Sequence, residues 1–281
     1  MTERFAGEVV LVTGASSGIG EALAREFASR GAALALLGRR TERLDTVAGE
    51  LRTAGNRALA IRCDVTVDGD IEAAVAKVLA EFGRLDVAVA NAGFSVAGKF
   101  ADLNLDDYRR QFETNVFGVL RTAYAVLEPL TRSTGTLAII GSVSGYLAAP
   151  SASPYSMSKF AVRALASALR GELAPRGVSV VLISPGFVES EIRRVDNRGR
   201  FNPEAREPLP SWLFMPTRRA ARKIVRAVSR RRRELVVTVH GRLAVTVARH
   251  MPRLTARLLA LVRVSRPEPG RGNGTGRAGG A

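Results

Sequence analysis

Cysteine is almost missing from this chain: Cys63 is the only one in 281 residues. A single thiol excludes an intramolecular disulfide and suits a reducing compartment. Long apolar runs are also missing. No stretch reaches the roughly 18 uncharged apolar residues of a membrane span, and the opening MTERFAGEVV has neither an apolar core nor the cleavage site of a secretory signal. These absences predict a cytoplasmic protein. His240 and His250 have no Cys or acidic companions at metal-ligand spacing, so no metal is expected. Acidic residues are scarce at one end only. Residues 218–281 hold 17 Arg/Lys against Glu234 and Glu268, whereas residues 1–217 hold 25 basic and 24 acidic side chains. The net charge of +16 therefore belongs to the C-terminal fifth, and an argument about a charged partner starts there.

What is present is ordinary for a folded protein with a substantial core: 46% hydrophobic and 24% charged residues. Short Val/Leu/Ile/Ala runs at 8–12, 32–37, 58–62, 85–90, 136–140 and 178–183 predict strands. Helical patterns lie between them at 20–29, 41–53, 68–81, 106–128 (one long helix) and 154–173. The runs lack polar alternation, as in a parallel sheet buried on both faces. The alternation predicts an α/β, Rossmann-type, doubly wound parallel sheet of about seven strands with helices on both faces. Residues 187–215, rich in charge, Pro and Gly, read as a mobile segment over the site; 217–230 is helical and 235–239 a last strand. Residues 1–240 then form the catalytic domain, 241–264 a basic amphipathic helical extension broken by Pro252, and 265–281 a Gly-rich disordered tail.

Residues 13–20, TGASSGIG, follow the first strand and open the first helix. In that context Thr13, Gly14, Ser16, Ser17, Gly18, Ile19 and Gly20 form a dinucleotide cradle, with the helix N-terminus facing the pyrophosphate. The second strand ends LLGRR. An acid there would bind the 2′-hydroxyl of NAD; Arg39 and Arg40 suit a 2′-phosphate. The reading is NADP(H) over NAD(H), with NAD(H) left open. Tyr155 and Lys159 stand four apart in YSMSK, on one helix face. A cation there favours phenolate and brings a phenol toward the range useful for general acid–base work.

These pieces together resemble the short-chain dehydrogenase/reductase (SDR) family over about residues 5–240. The matching elements are TGASSGIG at 13–20, Asp64-Val65, NAG at 91–93, Asn115 in FETNVFG, Ser142, YSMSK at 155–159 and Pro185-Gly186. The resemblance implies that Ser142 positions the substrate oxygen and Tyr155 transfers the proton. Lys159 would hold the nicotinamide ribose as well as tuning Tyr155, and Asn115 would bind a water on the proton path. Asp64 and Val65 would lie against the adenine, and Asn91, Ala92 and Gly93 would line the fourth strand's end. Pro185, Gly186 and Val188 would sit near the nicotinamide, with Ser190 where the family often has threonine. The chain departs from the family pattern at Ala90, where a second Asn is common, and in continuing well past the last strand. Extensions of this kind resemble those of membrane-associated members that act on lipophilic alcohols and ketones.

The resulting expectation is an NADP(H)-dependent oxidoreductase interconverting a carbonyl and a secondary alcohol on a lipophilic substrate. A 3-oxoacyl thioester reductase and a non-catalytic cofactor-binding regulator are the alternatives. Substrate choice should sit in residues 94–100, 143–153 and 187–215, with Trp212, Phe214 and Met215 as candidate pocket walls. A homodimer or homotetramer through the helices bearing Asn115 and Tyr155 is implied by the resemblance. The basic extension suits an anionic membrane surface, the protein's own core, a partner subunit or an acidic acyl carrier. Nucleic acid is not expected, because the tail has no stacking aromatics.

Overall fold

The computed structural model describes residues 4–261 except 203 and 205–209. The strands are β1 (Val9–Thr13), β2 (Ala33–Gly38), β3 (Ala58–Arg62), β4 (Val87–Ala90), β5 (Thr136–Ile140), β6 (Ser179–Ser184) and β7 (Glu234–Val236). The helices are α1 (Gly18–Ala28), α2 (Thr41–Thr53), α3 (Asp70–Phe82), α4 (Leu105–Phe112), α5 (Gly118–Ser133), α6 (Ser153–Leu173), α7 (Thr217–Ser229), α8 (Val239–His250) and α9 (Pro252–Leu261). All strand pairs are parallel, in the order β3-β2-β1-β4-β5-β6-β7. This is the doubly wound α/β sheet that the apolar runs predict.

The pleat explains why those runs need no polar alternation, since each strand is covered twice. In β1, Val10 and Val12 enter a core with Phe27 of α1, Leu44 of α2 and Ile224 of α7. Val9 and Leu11 enter the opposite core with Ile71 of α3, Val126 of α5 and Val162 of α6. Alternate residues thus serve opposite layers. Each fully buried Leu or Phe contributes roughly 1.5–3 kcal/mol by transfer from water. The order reverses between β1 and β4, and the crevice beyond the strands' C-terminal ends opens there.

Three predicted elements differ. The helix expected over 106–128 is two, α4 and α5, joined by a π-helical turn at Glu113–Phe117. A pattern of apolar spacing does not register one wider turn. The last strand is Glu234–Val236, because the Thr238 hydroxyl accepts the Gly241 N–H at 3.2 Å and starts α8. Residues 187–215 carry local structure: 3₁₀ turns at Glu191–Arg194 and Ser211–Leu213, and bridges Val188–Met215 and Val195–Phe201. The extension forms α8 and α9, separated at Met251–Pro252. The tail expected over 265–281 lies outside the described residues.

Candidate active site

The crevice is a cleft of about 720 Å³. Apart from Asn115, the catalytic and cofactor-binding residues the sequence nominates line it: Thr13, Gly14, Ser16–Gly20, Arg39, Arg40, Asp64, Val65, the 91–93 stretch, Ser142, Tyr155, Lys159, Pro185, Gly186, Val188 and Ser190.

Its floor is backbone packed on backbone. A Cβ on Gly20 would stand 2.2 Å from the Gly14 carbonyl oxygen, so only glycine lets α1 begin so close to the loop. The Thr13 hydroxyl accepts the N–H groups of Asn91 and Ala92, each at 3.0 Å, and Asn91 Nδ2 donates to the Thr13 carbonyl at 2.9 Å. These bonds stitch β1 to β4 beneath the loop. Ser17, the N-cap of α1, makes no side-chain capping bond, so the first N–H groups of α1 are left to a ligand. At the end of β2, Arg40 Nε donates to Ser16 Oγ at 3.2 Å, and Arg39 Nη1 stands 3.9 Å from Asp64 Oδ2. A tight glycine turn, an uncapped helix N-terminus and two arginines at the second strand's end fit a nicotinamide dinucleotide.

The opposite end of the cleft holds the proton-transfer candidates. Ser142 Oγ accepts the Ser144 N–H at 3.1 Å, which leaves its own O–H to donate elsewhere. Lys159 is buried; its Nζ donates to the Ile140 carbonyl at 2.9 Å and lies 5.7 Å from the Tyr155 ring centre. Burial pushes the Lys159 amine down to about 8, so it stays mainly an ammonium at neutral pH.

Asn115 lies beneath the cleft wall, fully buried in the π turn. Its Oδ1 accepts the Phe94 N–H at 3.1 Å, and its Nδ2 donates to the Phe94 carbonyl at 3.1 Å and to Ser158 Oγ at 3.2 Å. Ser158 Oγ in turn donates to the Tyr155 carbonyl at 2.7 Å. The side chain that the family resemblance assigns to a water thus ties the turn after β4 to the helix carrying Tyr155.

The expectation for Trp212, Phe214 and Met215 is corrected. Trp212 is 82% exposed, Phe214 packs edge-on against Phe187 with ring centres 5.9 Å apart, and none of the three lines the cleft. Phe94, Ile192, Val195 and Phe201 supply its apolar wall instead. Sequence reasoning also missed His240, whose Nε2 accepts the Phe187 N–H at 3.2 Å. A Cβ on Gly186 would lie 2.2 Å from Thr238 Oγ1, so the start of α8 braces the segment after β6. Burial pushes the His240 imidazole down, favouring the neutral form that can accept this bond. No spacing rule links residues 187 and 240, which meet only through the sheet.

Residues 8–200 match the short chain dehydrogenase family model. An 11-beta-hydroxysteroid dehydrogenase A of Arachis hypogaea is 39% identical over 196 residues, 69% of this chain and 56% of that protein. An uncharacterized oxidoreductase of Staphylococcus epidermidis is 37% identical over 184 residues, 65% of this chain and 79% of its own length. Among solved structures, a short chain dehydrogenase/reductase from Burkholderia phymatum in complex with NAD superposes with TM-score 0.80 at 26% identity, covering 90% of this chain and 96% of its own. An alcohol dehydrogenase from Thermococcus sibiricus complexed with 5-hydroxy-NADP has TM-score 0.71 at 30% identity, covering 82% and 95%. The chain belongs to the short-chain dehydrogenase/reductase family and is an oxidoreductase of that type, built on a fold that binds NAD(P).

Proposed function

We propose that the protein is an NADP(H)-dependent oxidoreductase that interconverts a carbonyl and a secondary alcohol on a lipophilic substrate. The observation that carries this reading is one cleft joining a dinucleotide cradle ending in Arg39 and Arg40 to Ser142, Tyr155 and a buried Lys159. The glycine loop would hold the pyrophosphate, Arg39 and Arg40 the 2′-phosphate, Asp64 and Val65 the adenine, and Lys159 the nicotinamide ribose. When bound, the cofactor supplies or accepts the hydride. Ser142 Oγ donates a hydrogen bond to the substrate oxygen as negative charge grows there, and Tyr155 Oη hands over its proton. The Lys159 ammonium favours the phenolate left behind. Asn115 has a positioning role through Ser158 and the Tyr155 turn. Phe94, Ile192, Val195 and Phe201 make an apolar seat, and the hydroxysteroid dehydrogenase relatives point the same way.

The test is NADPH oxidation across ketones, aldehydes and 3-oxoacyl thioesters, with Tyr155→Phe as control. A lipophilic ketone should turn over, and the variant should lose roughly 10²–10⁴ in rate while still binding NADPH. Exclusive use of thioesters would favour an acyl reductase, and turnover that survives in Tyr155→Phe would remove the mechanism.

The assembly belongs to the same reading. Phe117, Tyr124, Met157 and Phe160 stand exposed on and beside α5 and α6, which supports a homo-oligomer through those helices. No helix among the described residues is long and apolar enough to cross a membrane. The α8–α9 pair exposes Val239, Leu243, Met251, Leu254 and Leu258 beside Arg253 and Arg257. That composition supports a cytoplasmic enzyme in peripheral contact with anionic membrane. Vesicle co-sedimentation of the full chain and of a chain ending at residue 241 tests it: equal binding to anionic vesicles would sink the membrane contact.

A further inference from the structure

Arg40, just past the end of β2, and Arg43, in the first turn of α2, already hold an anion. Glu191, five residues beyond Gly186, reaches back across the cleft mouth. Its Oε2 accepts Arg40 Nη1 at 2.9 Å and its Oε1 accepts Arg43 Nη1 at 2.8 Å. One carboxylate thus bridges two guanidinium groups, one from the start and one from the first turn of α2. Arg40 is meanwhile fixed from behind by Ser16, through its hydroxyl at 3.2 Å and its carbonyl at 3.5 Å. The bridge joins the adenine side of the cleft to the segment after β6. That segment is also clamped to the far wall: Asn197 Nδ2 donates to the Ala97 carbonyl at 3.0 Å and its Oδ1 accepts the Ala97 N–H at 3.1 Å. Partial burial works against ionising Glu191, but Arg40 and Arg43 outweigh it and hold the carboxyl below the usual carboxylate range. Arginine forks bind carboxylate and phosphate oxygens with the same geometry.

We propose that Glu191 is a specificity-determining residue, its carboxylate competing intramolecularly for the Arg40–Arg43 cations against the 2′-phosphate of NADP(H). This rests on the NADP(H) reading above. A dinucleotide without the 2′-phosphate leaves the bridge in place. One with it displaces Glu191, freeing the segment after β6 on the adenine side while Asn197 still ties it on the other. The apparent preference for NADP(H) over NAD(H) is therefore smaller than the arginines alone would give, and Glu191 sets how much smaller.

The experiment is titration calorimetry on the full chain with two probes, 2′,5′-ADP and 5′-AMP, in wild type and Glu191→Gln. The amide keeps the side chain's size and removes its charge. The pair is partly solvent-exposed (side chains of Arg40 and Glu191 at 38% and 25%), so the expected gain for 2′,5′-ADP is modest, roughly 2- to 5-fold in Kd, with 5′-AMP unchanged. Glu191→Ala, which lacks the amide, should reproduce the gain. Unchanged or weaker 2′,5′-ADP binding in both variants, with wild type still preferring that probe to 5′-AMP, overturns the competition and leaves the NADP(H) reading standing. If neither wild type nor either variant prefers 2′,5′-ADP, the cofactor reading and the competition fall together. An equal gain for both probes also overturns the proposal, because it would mean general loosening of the cleft.

Discussion

The two walls of the cleft are built on different physics. The inner wall, from the glycine loop across β1 and β4 to the β5 end, is backbone packed on backbone with buried hydrogen bonds. Thr13, Asn115 and Lys159 are all essentially inaccessible to solvent. The outer wall, after β6, is held by partly exposed charges and side-chain ties: Glu191 to two arginines, Asn197 to Ala97, and His240 to Phe187. Buried contacts are costly to break and little affected by salt or pH, whereas exposed ones respond to both. Such a division suits a rigid seat for the proposed cofactor and proton donor with a wall that can yield to ligands.

Substitutions can break this comparison or sharpen it. The largest expected effect is at the inner wall. Lys159→Met should cost roughly 10²–10⁴ in turnover while raising stability. The Lys159 pKa of about 8 lies below its ordinary value, so the folded state resists protonation. The Lys159 penalty is therefore full below about pH 8 and fades as pH rises toward the unfolded value. After allowing for the lost bond to the Ile140 carbonyl, we expect a net gain of about 1–2 kcal/mol at pH 7 that shrinks toward pH 10. Thermal unfolding at the two pH values checks it, and a lower Tm at pH 7 would show that the ammonium is not desolvated.

Gly20→Ala comes next. Its Cβ would meet the Gly14 carbonyl oxygen at 2.2 Å, so a loss of about 3 kcal/mol is expected in urea unfolding, with nucleotide binding weakened in parallel. A variant as stable as wild type would mean that the loop yields and the inner wall is not rigid. Arg39→Asp, at the boundary of the two walls, should shift the NADPH/NADH ratio of kcat/KM about tenfold toward NADH, which is about 1.4 kcal/mol; an unchanged ratio removes Arg39 from the phosphate site.

The smallest effect belongs to the outer wall. Burial depresses the His240 pKa, so the folded state resists charging the ring: the neutral imidazole that accepts the Phe187 N–H is present above the ordinary histidine range, and stability is lost as pH falls through that range to the folded value. Between pH 7 and pH 5 wild type should lose a few tenths of a kcal/mol, discounted for the ring's partial exposure, and His240→Gln should lose less. Identical pH profiles would show that the imidazole is not the brace.

Local chain chemistry settled a good deal: apolar runs that must be covered on both faces define the parallel sheet, and the glycines of 13–20 mark a tight turn, closed to a Cβ at Gly14 and Gly20 and left-handed at Gly14 and Gly18. The order of chemical residues along the chain, from Arg39 and Arg40 to Tyr155 and Lys159, was likewise legible, because i and i+4 share a helix face and strand ends converge at the switch point. The π turn that buries Asn115 left no trace in apolar spacing. The partners of the segment after β6 were invisible for a different reason. Glu191 meets Arg40 across 151 residues of chain and His240 meets Phe187 across 53, separations that only the stacking of the strands closes. Sequence decided which groups the protein carries to its cleft; tertiary structure decided which of them hold one another before any ligand arrives, because such pairings depend on distance in space and not on spacing along the chain.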